Sequence, residues 1–213
     1  MSNQIKKNTI PGLVTWLLSI IIVALLLTSC SRAKLPALQS EDVIVAFGDS
    51  LTAGYGVTKN QSYPAVLANL TRHKVINAGI SGETTAQGLA RFQSVLEEHN
   101  PGLVILLEGG NDVLQKVPVG VIYSNLKRML QIAKQKGVPV LLVGVPEKKL
   151  FGSSLDIYAD LAEEFDIPLE EDIVANLIKR PSMKSDFVHF NQQGYQAMAQ
   201  AIDAKLKEHG AIQ

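Results

Sequence analysis

A chain of 213 residues has the length of one domain with a short remainder to explain. Its 20 Lys+Arg balance 20 Asp+Glu, so no net positive field gathers phosphates, and a nucleic-acid partner is not expected. The single cysteine, Cys30, excludes an intrachain disulfide and a multi-cysteine zinc site, which leaves the fold to an ordinary apolar core.

In chain order, Lys6 and Lys7 come first, followed by an apolar stretch over residues 13–27. Its roughly 15 residues fit the hydrophobic region of a signal peptide and fall short of the ~20 that span a membrane. The stretch closes on Leu27-Thr28-Ser29-Cys30. That sequence resembles the bacterial lipobox, in which the cysteine receives the lipid and becomes the new N-terminus. The reading is a lipoprotein signal peptide over 1–29, a lipidated Cys30 with a tether to residue 40, and one domain over 41–213. An uncleaved apolar anchor with an incidental cysteine is the alternative. Both hold the domain at a membrane surface outside the cytoplasm, and Ser31 suits outer-membrane sorting in a Gram-negative cell.

From Asp42 onward, short apolar runs alternate with helical patterns. Residues 43–47, 75–76, 103–107 and 138–143 read as strands covered on both faces. Between them, 63–70 reads as a helix with Pro64 in its first turn, where the missing N–H costs little. Residues 84–98, 121–134 and 155–165 carry apolar side chains at helical spacing. A last helix spans 191–206 with Asn191 as its N-cap. This alternation implies an α/β fold with a parallel sheet between two helical layers. Reactive groups then gather at the carboxyl ends of the strands.

Those ends carry Gly48-Asp49-Ser50-Leu51, Gly79-Ile80-Ser81-Gly82-Glu83, Gly109-Gly110-Asn111-Asp112 and, late in the chain, Asp186-Phe187-Val188-His189. A serine, a glycine, an asparagine amide and an Asp/His pair are the parts of an acyl-transfer site. In order and spacing the four segments resemble the four blocks of the SGNH (GDSL) hydrolase superfamily, from about Asp42 to the C-terminus. The likeness falls nearest the bacterial extracytoplasmic arylesterases, acyl-CoA thioesterases and lysophospholipases. It implies a flavodoxin-like three-layer α/β/α sandwich, with Ser50 as nucleophile and Asp186 and His189 completing a triad. It also implies an oxyanion hole from the Ser50 N–H, the Gly82 N–H and the Asn111 side-chain amide.

The chemistry justifies each residue type. A serine hydroxyl is a poor nucleophile until a base removes its proton, a task to which imidazole is suited. An Asp accepting the other ring N–H holds the imidazole in one tautomer. Negative charge on the tetrahedral intermediate calls for fixed donors, and an amide supplies one that needs no protonation. No metal or organic cofactor is called for.

Other residues read as structural. Ser81 and Ser153 lie beside glycines but outside a Gly-x-Ser-x-Gly elbow. His73, His99 and His209 read as solvated surface groups. Asp49 and Asp112 are expected to hold loops through backbone N–H groups. Gly54-Tyr55-Gly56 reads as turn chemistry, since no Gly-Lys-Ser/Thr follows it. Glu163-Glu164 and Glu170-Glu171-Asp172 read as solvated faces rather than a carboxylate metal site. Two features depart from the family pattern: Glu108, where an apolar residue is usual, and the loop 146–152, which is short.

The expectation is therefore a membrane-anchored monomer that hydrolyses small acyl esters, thioesters or lysophospholipids. A carbohydrate or peptidoglycan O-acetylesterase on the same fold, and a non-catalytic surface lipoprotein, remain the alternatives.

Overall fold

The computed structural model describes residues 33–147 and 154–213. The signal peptide, Cys30 and Ser153 lie outside the described residues. The five strands are β1 (Val43–Gly48), β2 (Lys74–Gly79), β3 (Leu103–Leu107), β4 (Val140–Val143) and β5 (Leu169–Glu170). They form one sheet in the order β2-β1-β3-β4-β5, every neighbouring pair parallel. That is the flavodoxin-like order expected from the family resemblance.

The helices are α1 (Ser50–Ala53), α2 (Tyr63–Thr71), α3 (Thr85–His99), α4 (Gly110–Gln115), α5 (Val119–Gln135), α6 (Asp156–Phe165), α7 (Ile173–Ile178) and α8 (Gln192–Glu208). Helices α2 and α8 pack together, while α3, α5 and α6 pack in series. The central strands carry the core: Ile44 to Phe47, all of β3 and all of β4 are buried. This burial explains their nearly unbroken apolar runs. Strand β2, expected to be covered on both faces, is an edge strand whose residues are partly buried or exposed.

Local bonds close two helix starts, one of them at the expected N-cap Asn191. The Gln87 side chain accepts the Thr84 N–H at 3.0 Å, and the Asn191 side chain accepts the Gly194 N–H at 3.1 Å. Four short elements, α1, α4, α7 and β5, carried too few residues for a periodic pattern. Strand β4 begins two residues later than the apolar run, after Pro139, whose ring provides no N–H for a ladder.

Three sequence readings are corrected by packing. The stretch 33–40, expected as tether, is docked onto the domain. The Leu35 and Leu38 N–H groups donate to the His209 and Ala211 carbonyls at 2.9 Å each, and Leu35 is buried. His209 is likewise buried, its Nδ1 2.6 Å from the Ala33 carbonyl. His73 and His99 are half-buried rather than solvated. Glu170 is buried at the end of β5, where its carboxylate accepts the Asp172 and Ile173 N–H groups. A short sequence gives no sign of such contacts, because each partner lies elsewhere in the chain or depends on a turn.

Candidate active site

Strand β1 ends at Gly48, and the chain turns at once into α1, whose first residue is Ser50. Asp49 caps this turn: its Oδ1 accepts the Leu51 N–H at 3.0 Å. Burial pushes its carboxyl up to about 6, against the pull of the Leu51 N–H, His189 and the Gly110 N–H. The ends of β1 and β2 must lie close to α1. A Cβ on Gly79 would stand 2.2 Å from the Ala53 nitrogen, so only glycine fits there.

The loop before α8 brings His189 over Ser50, although 139 residues separate them in sequence. His189 Nε2 lies 2.9 Å from Ser50 Oγ, and His189 Nδ1 lies 2.7 Å from Asp186 Oδ2. The other carboxylate oxygen, Oδ1, accepts the Val188 and His189 N–H groups at 2.9 and 2.8 Å. Desolvation alone would raise the Asp186 carboxyl, but these bonds to His189 and Val188 outweigh it and hold it at about 2. An ionised Asp186 fixes the proton on His189 Nδ1, which leaves the Nε2 lone pair facing the serine hydroxyl. Tyr55 stacks on the imidazole, with ring centroids 4.3 Å apart, and its carbonyl accepts the Tyr195 hydroxyl at 3.0 Å. Sequence reading took Tyr55 for part of a turn; the missing signal was its contact with a ring 134 positions away.

The two expected oxyanion donors from other loops sit beside one another. Gly82 is exposed with φ +84°, a left-handed conformation that explains the glycine without any crowding by the protein. Neither the Gly82 nor the Ser50 N–H has a backbone acceptor among the described residues. Asn111, in the first turn of α4, donates one N–H of its amide to the Glu83 carbonyl at 2.8 Å. The amide's second N–H has no hydrogen-bond acceptor among the described residues.

Beneath this loop lies a buried ionic group that sequence reading missed apart from Glu108. Arg91 on α3 binds both carboxylate oxygens of Glu83, donates to the Ala78 carbonyl at 2.8 Å, and lies over the Phe47 ring at 4.0 Å. Glu108 is fully buried next to them, with its carboxyl in hydrogen-bonding contact with the Glu83 carboxylate. Its burial, and then the negative charges of Asp49 and Glu83, push its carboxyl well above the usual carboxylate range against the pull of Arg91. Asp112 ties α4 to the start of α3. Its two oxygens accept the Thr85 N–H at 2.8 Å and the Thr85 hydroxyl at 2.6 Å. The buried Tyr158 hydroxyl donates to the Glu108 carbonyl at 2.6 Å, anchoring the end of β3.

A cavity of about 500 Å³ is lined by Val113, Val117, Val119, Ile122 and Leu155, with Lys116 and Glu147 as its charged members; neither Ser50, Gly82, Asn111 nor His189 lines it. Around the carboxyl edge, Phe187 is 91% exposed, and Tyr55, Ile80 and Leu114 are also largely exposed. Among the described residues, no group of three or more His, Cys, Asp or Glu side chains is placed to hold a metal ion. No described helix is long and apolar enough to cross a membrane.

A parallel sheet in this strand order, with serine, imidazole and carboxylate in one hydrogen-bonded line at its carboxyl edge, has the arrangement that hydrolysis of the serine type requires. Residues 46–197 match the model of the GDSL-like Lipase/Acylhydrolase family, and the chain belongs to that family. It is 33% identical to an arylesterase of Vibrio mimicus, over 88% of this chain and 98% of the relative. It is 32% identical to the Thioesterase 1/protease 1/lysophospholipase L1 of Escherichia coli K12, over 78% of this chain and 84% of that one. Among solved structures it resembles AlinE4, an SGNH-hydrolase family esterase, with a TM-score of 0.64 and 33% identity. The likeness covers 81% of this chain and 98% of AlinE4.

Proposed function

We propose that the protein is a membrane-anchored serine esterase that cleaves acyl esters through an acyl-enzyme. Ser50 acts as nucleophile, His189 as general base and acid, and Asp186 as the group that orients the imidazole. The observation that carries this reading is the Ser50–His189–Asp186 line of hydrogen bonds, 2.9 and 2.7 Å long. Ser50 Oγ attacks the carbonyl carbon as its proton passes to His189 Nε2. The resulting oxyanion takes bonds from the Ser50 N–H, the Gly82 N–H and the Asn111 amide. Collapse breaks the bond to the leaving oxygen or sulfur, which departs with the proton from His189. Water then repeats the sequence on the acyl-enzyme and releases the acid.

Esters, thioesters and lysophospholipids are the substrate classes suggested by the arylesterase and thioesterase/lysophospholipase relatives. The thioesterase/lysophospholipase relative favours an acyl chain longer than acetyl over the O-acetylesterase alternative. Membrane attachment through a lipid on Cys30 remains part of the proposal and rests on Leu27-Thr28-Ser29-Cys30.

A fluorophosphonate probe and a panel of p-nitrophenyl esters from acetyl to palmitoyl test the reading. Labelling and turnover should both disappear in Ser50→Ala, with rates in the unaltered protein highest beyond acetyl. A folded protein that neither takes the probe nor turns over any ester would refute the hydrolase, and acetyl-only turnover would favour the acetylesterase.

A further inference from the structure

Both oxyanion donors outside the nucleophile's own turn are supported through one residue, Glu83. It follows Gly82 directly, and its carbonyl accepts the Asn111 amide at 2.8 Å. Both oxygens of its carboxylate take bonds from Arg91, which also donates to the Ala78 carbonyl at the end of β2. On its outer side the loop is open. Ile80, Ser81 and Gly82 are exposed, and a Cβ on Gly82 would meet no atom within 4 Å.

Glu108 backs this support from the interior. Its carboxyl reaches under α3: a Cβ on Gly88 would stand 3.2 Å from its Oε1, and Arg91 lies one turn further along the same face of that helix. The same carboxyl is in hydrogen-bonding contact with that of Glu83. Two ionised carboxylates can only accept, so this contact requires a proton on one of them. The charged groups that act on Glu108 are Asp49 after β1, Glu83 after β2 and Arg91 on α3. Of the other titratable groups at this end of the sheet, Asp112 on α4 is bonded to Thr85. Tyr158 on α6 donates to the Glu108 carbonyl and not to its carboxyl. Arg91 gives its paired bonds to Glu83, which leaves the fully buried Glu108 as the holder of the proton.

We infer that Glu108 is a positioning residue for the oxyanion hole: protonated, it holds the Gly82–Glu83 loop in place, and ionised, it releases it. The inference rests on the proposed esterase and adds to it an internal control of the oxyanion donors. When Glu108 gives its proton to hydroxide, its hydrogen bond to Glu83 becomes a contact between like charges in a dry interior, with Asp49 close by. The single Arg91 guanidinium cannot give both carboxylates the paired bonds that Glu83 has alone. Glu108 is shut in against Phe47 and Gly88, so the exposed loop is the part that moves. The Gly82 N–H and the Asn111 amide then leave the oxyanion together. A misplaced oxyanion donor is lost to the transition state rather than to bound substrate, so kcat falls while KM holds. Asp186, held at about 2, stays ionised throughout and does not account for an alkaline fall. The buried hydroxyls of Tyr63, Tyr158 and Tyr195 are pushed up by burial, away from the same range.

The test measures kcat and KM for 4-methylumbelliferyl butyrate from about pH 7 to about pH 10.5, using the full chain in detergent and its Glu108→Gln variant. In the unaltered protein kcat should fall at least about tenfold with KM little changed, part of the roughly 10²–10³ lost when an oxyanion donor is removed outright. In Glu108→Gln, whose amide donates at every pH, the fall should be absent. If that variant does not fold, Glu108→Leu, equally unable to ionise, carries the same expectation. A flat profile in the unaltered protein, or the same fall in the variant, would overturn the inference. Absence of turnover at every pH would count against the esterase itself, and the loop is then read directly by amide hydrogen exchange of the segment carrying Gly82 and Glu83. Corrected for the chemical rate, its protection should drop at least about tenfold over the same pH rise in the unaltered protein and stay constant in Glu108→Gln. Equal protection in the two would overturn the inference.

Discussion

Glu108 is the residue whose chemistry departs furthest from its surroundings. An unfolded glutamic acid ionises near pH 4.3, whereas burial and the neighbouring Asp49 and Glu83 keep this one protonated far above that. The native state therefore binds more protons than the unfolded state across that interval. The contribution to stability is complete below about pH 4.3 and is lost as pH rises through the interval. Asp49, raised to about 6, acts in the same direction over a lower and narrower window. Glu108→Gln keeps the shape and a donor but cannot ionise. It should melt about 2–4 °C above the unaltered protein at pH 8, a gain of ~1 kcal/mol that closes toward pH 4. Asp186 has the opposite sign. Held at about 2, it loses its contribution only as pH falls toward that value, so it remains ionised throughout the range of the assay. The sequence marked Glu108 as unusual, but the sign of its effect required the buried neighbours Asp49, Glu83 and Arg91.

Short elements do the positioning. Helix α4 has only six residues, yet it carries Asn111, Asp112 and the first wall of the apolar cavity. Its place is set by Asp112, which grips the first turn of α3 through both the N–H and the hydroxyl of Thr85. Asp112→Ala should destabilise the fold by about 2 kcal/mol, since it strands buried donors. It should also lower kcat by moving the Asn111 amide off the oxyanion, more than it changes KM. Chemical denaturation and steady-state kinetics on a soluble ester measure the two effects separately. The long helices were legible from their apolar spacing. Helices α1 and α4 were not, because four and six residues are too few for a periodic pattern.

Over the whole molecule, the residues before β1 belong to the domain rather than to a tether. Leu35 lies 7% exposed against the end of α8, so the fold gains apolar burial from a stretch that reads as linker. Leu35→Ala should cost about 2 kcal/mol, a fall of about 4–8 °C in melting temperature.

Local patterning along the chain was enough for the layered α/β class, the strands of the core and the four loops that bear Ser50, Gly82, Asn111 and the Asp186/His189 pair. Apolar periodicity and turn residues are local properties, and the three-residue spacing of Asp186 and His189 lies within one loop. Tertiary structure alone decided the stacking of Tyr55 on His189, the buried Glu83–Arg91–Glu108 group, the grip of Asp112 on Thr85 and the docking of residues 33–40. Each of these depends on a partner remote in the chain, and burial changes the charge state or solvation of a residue whose sequence neighbours look polar and ordinary.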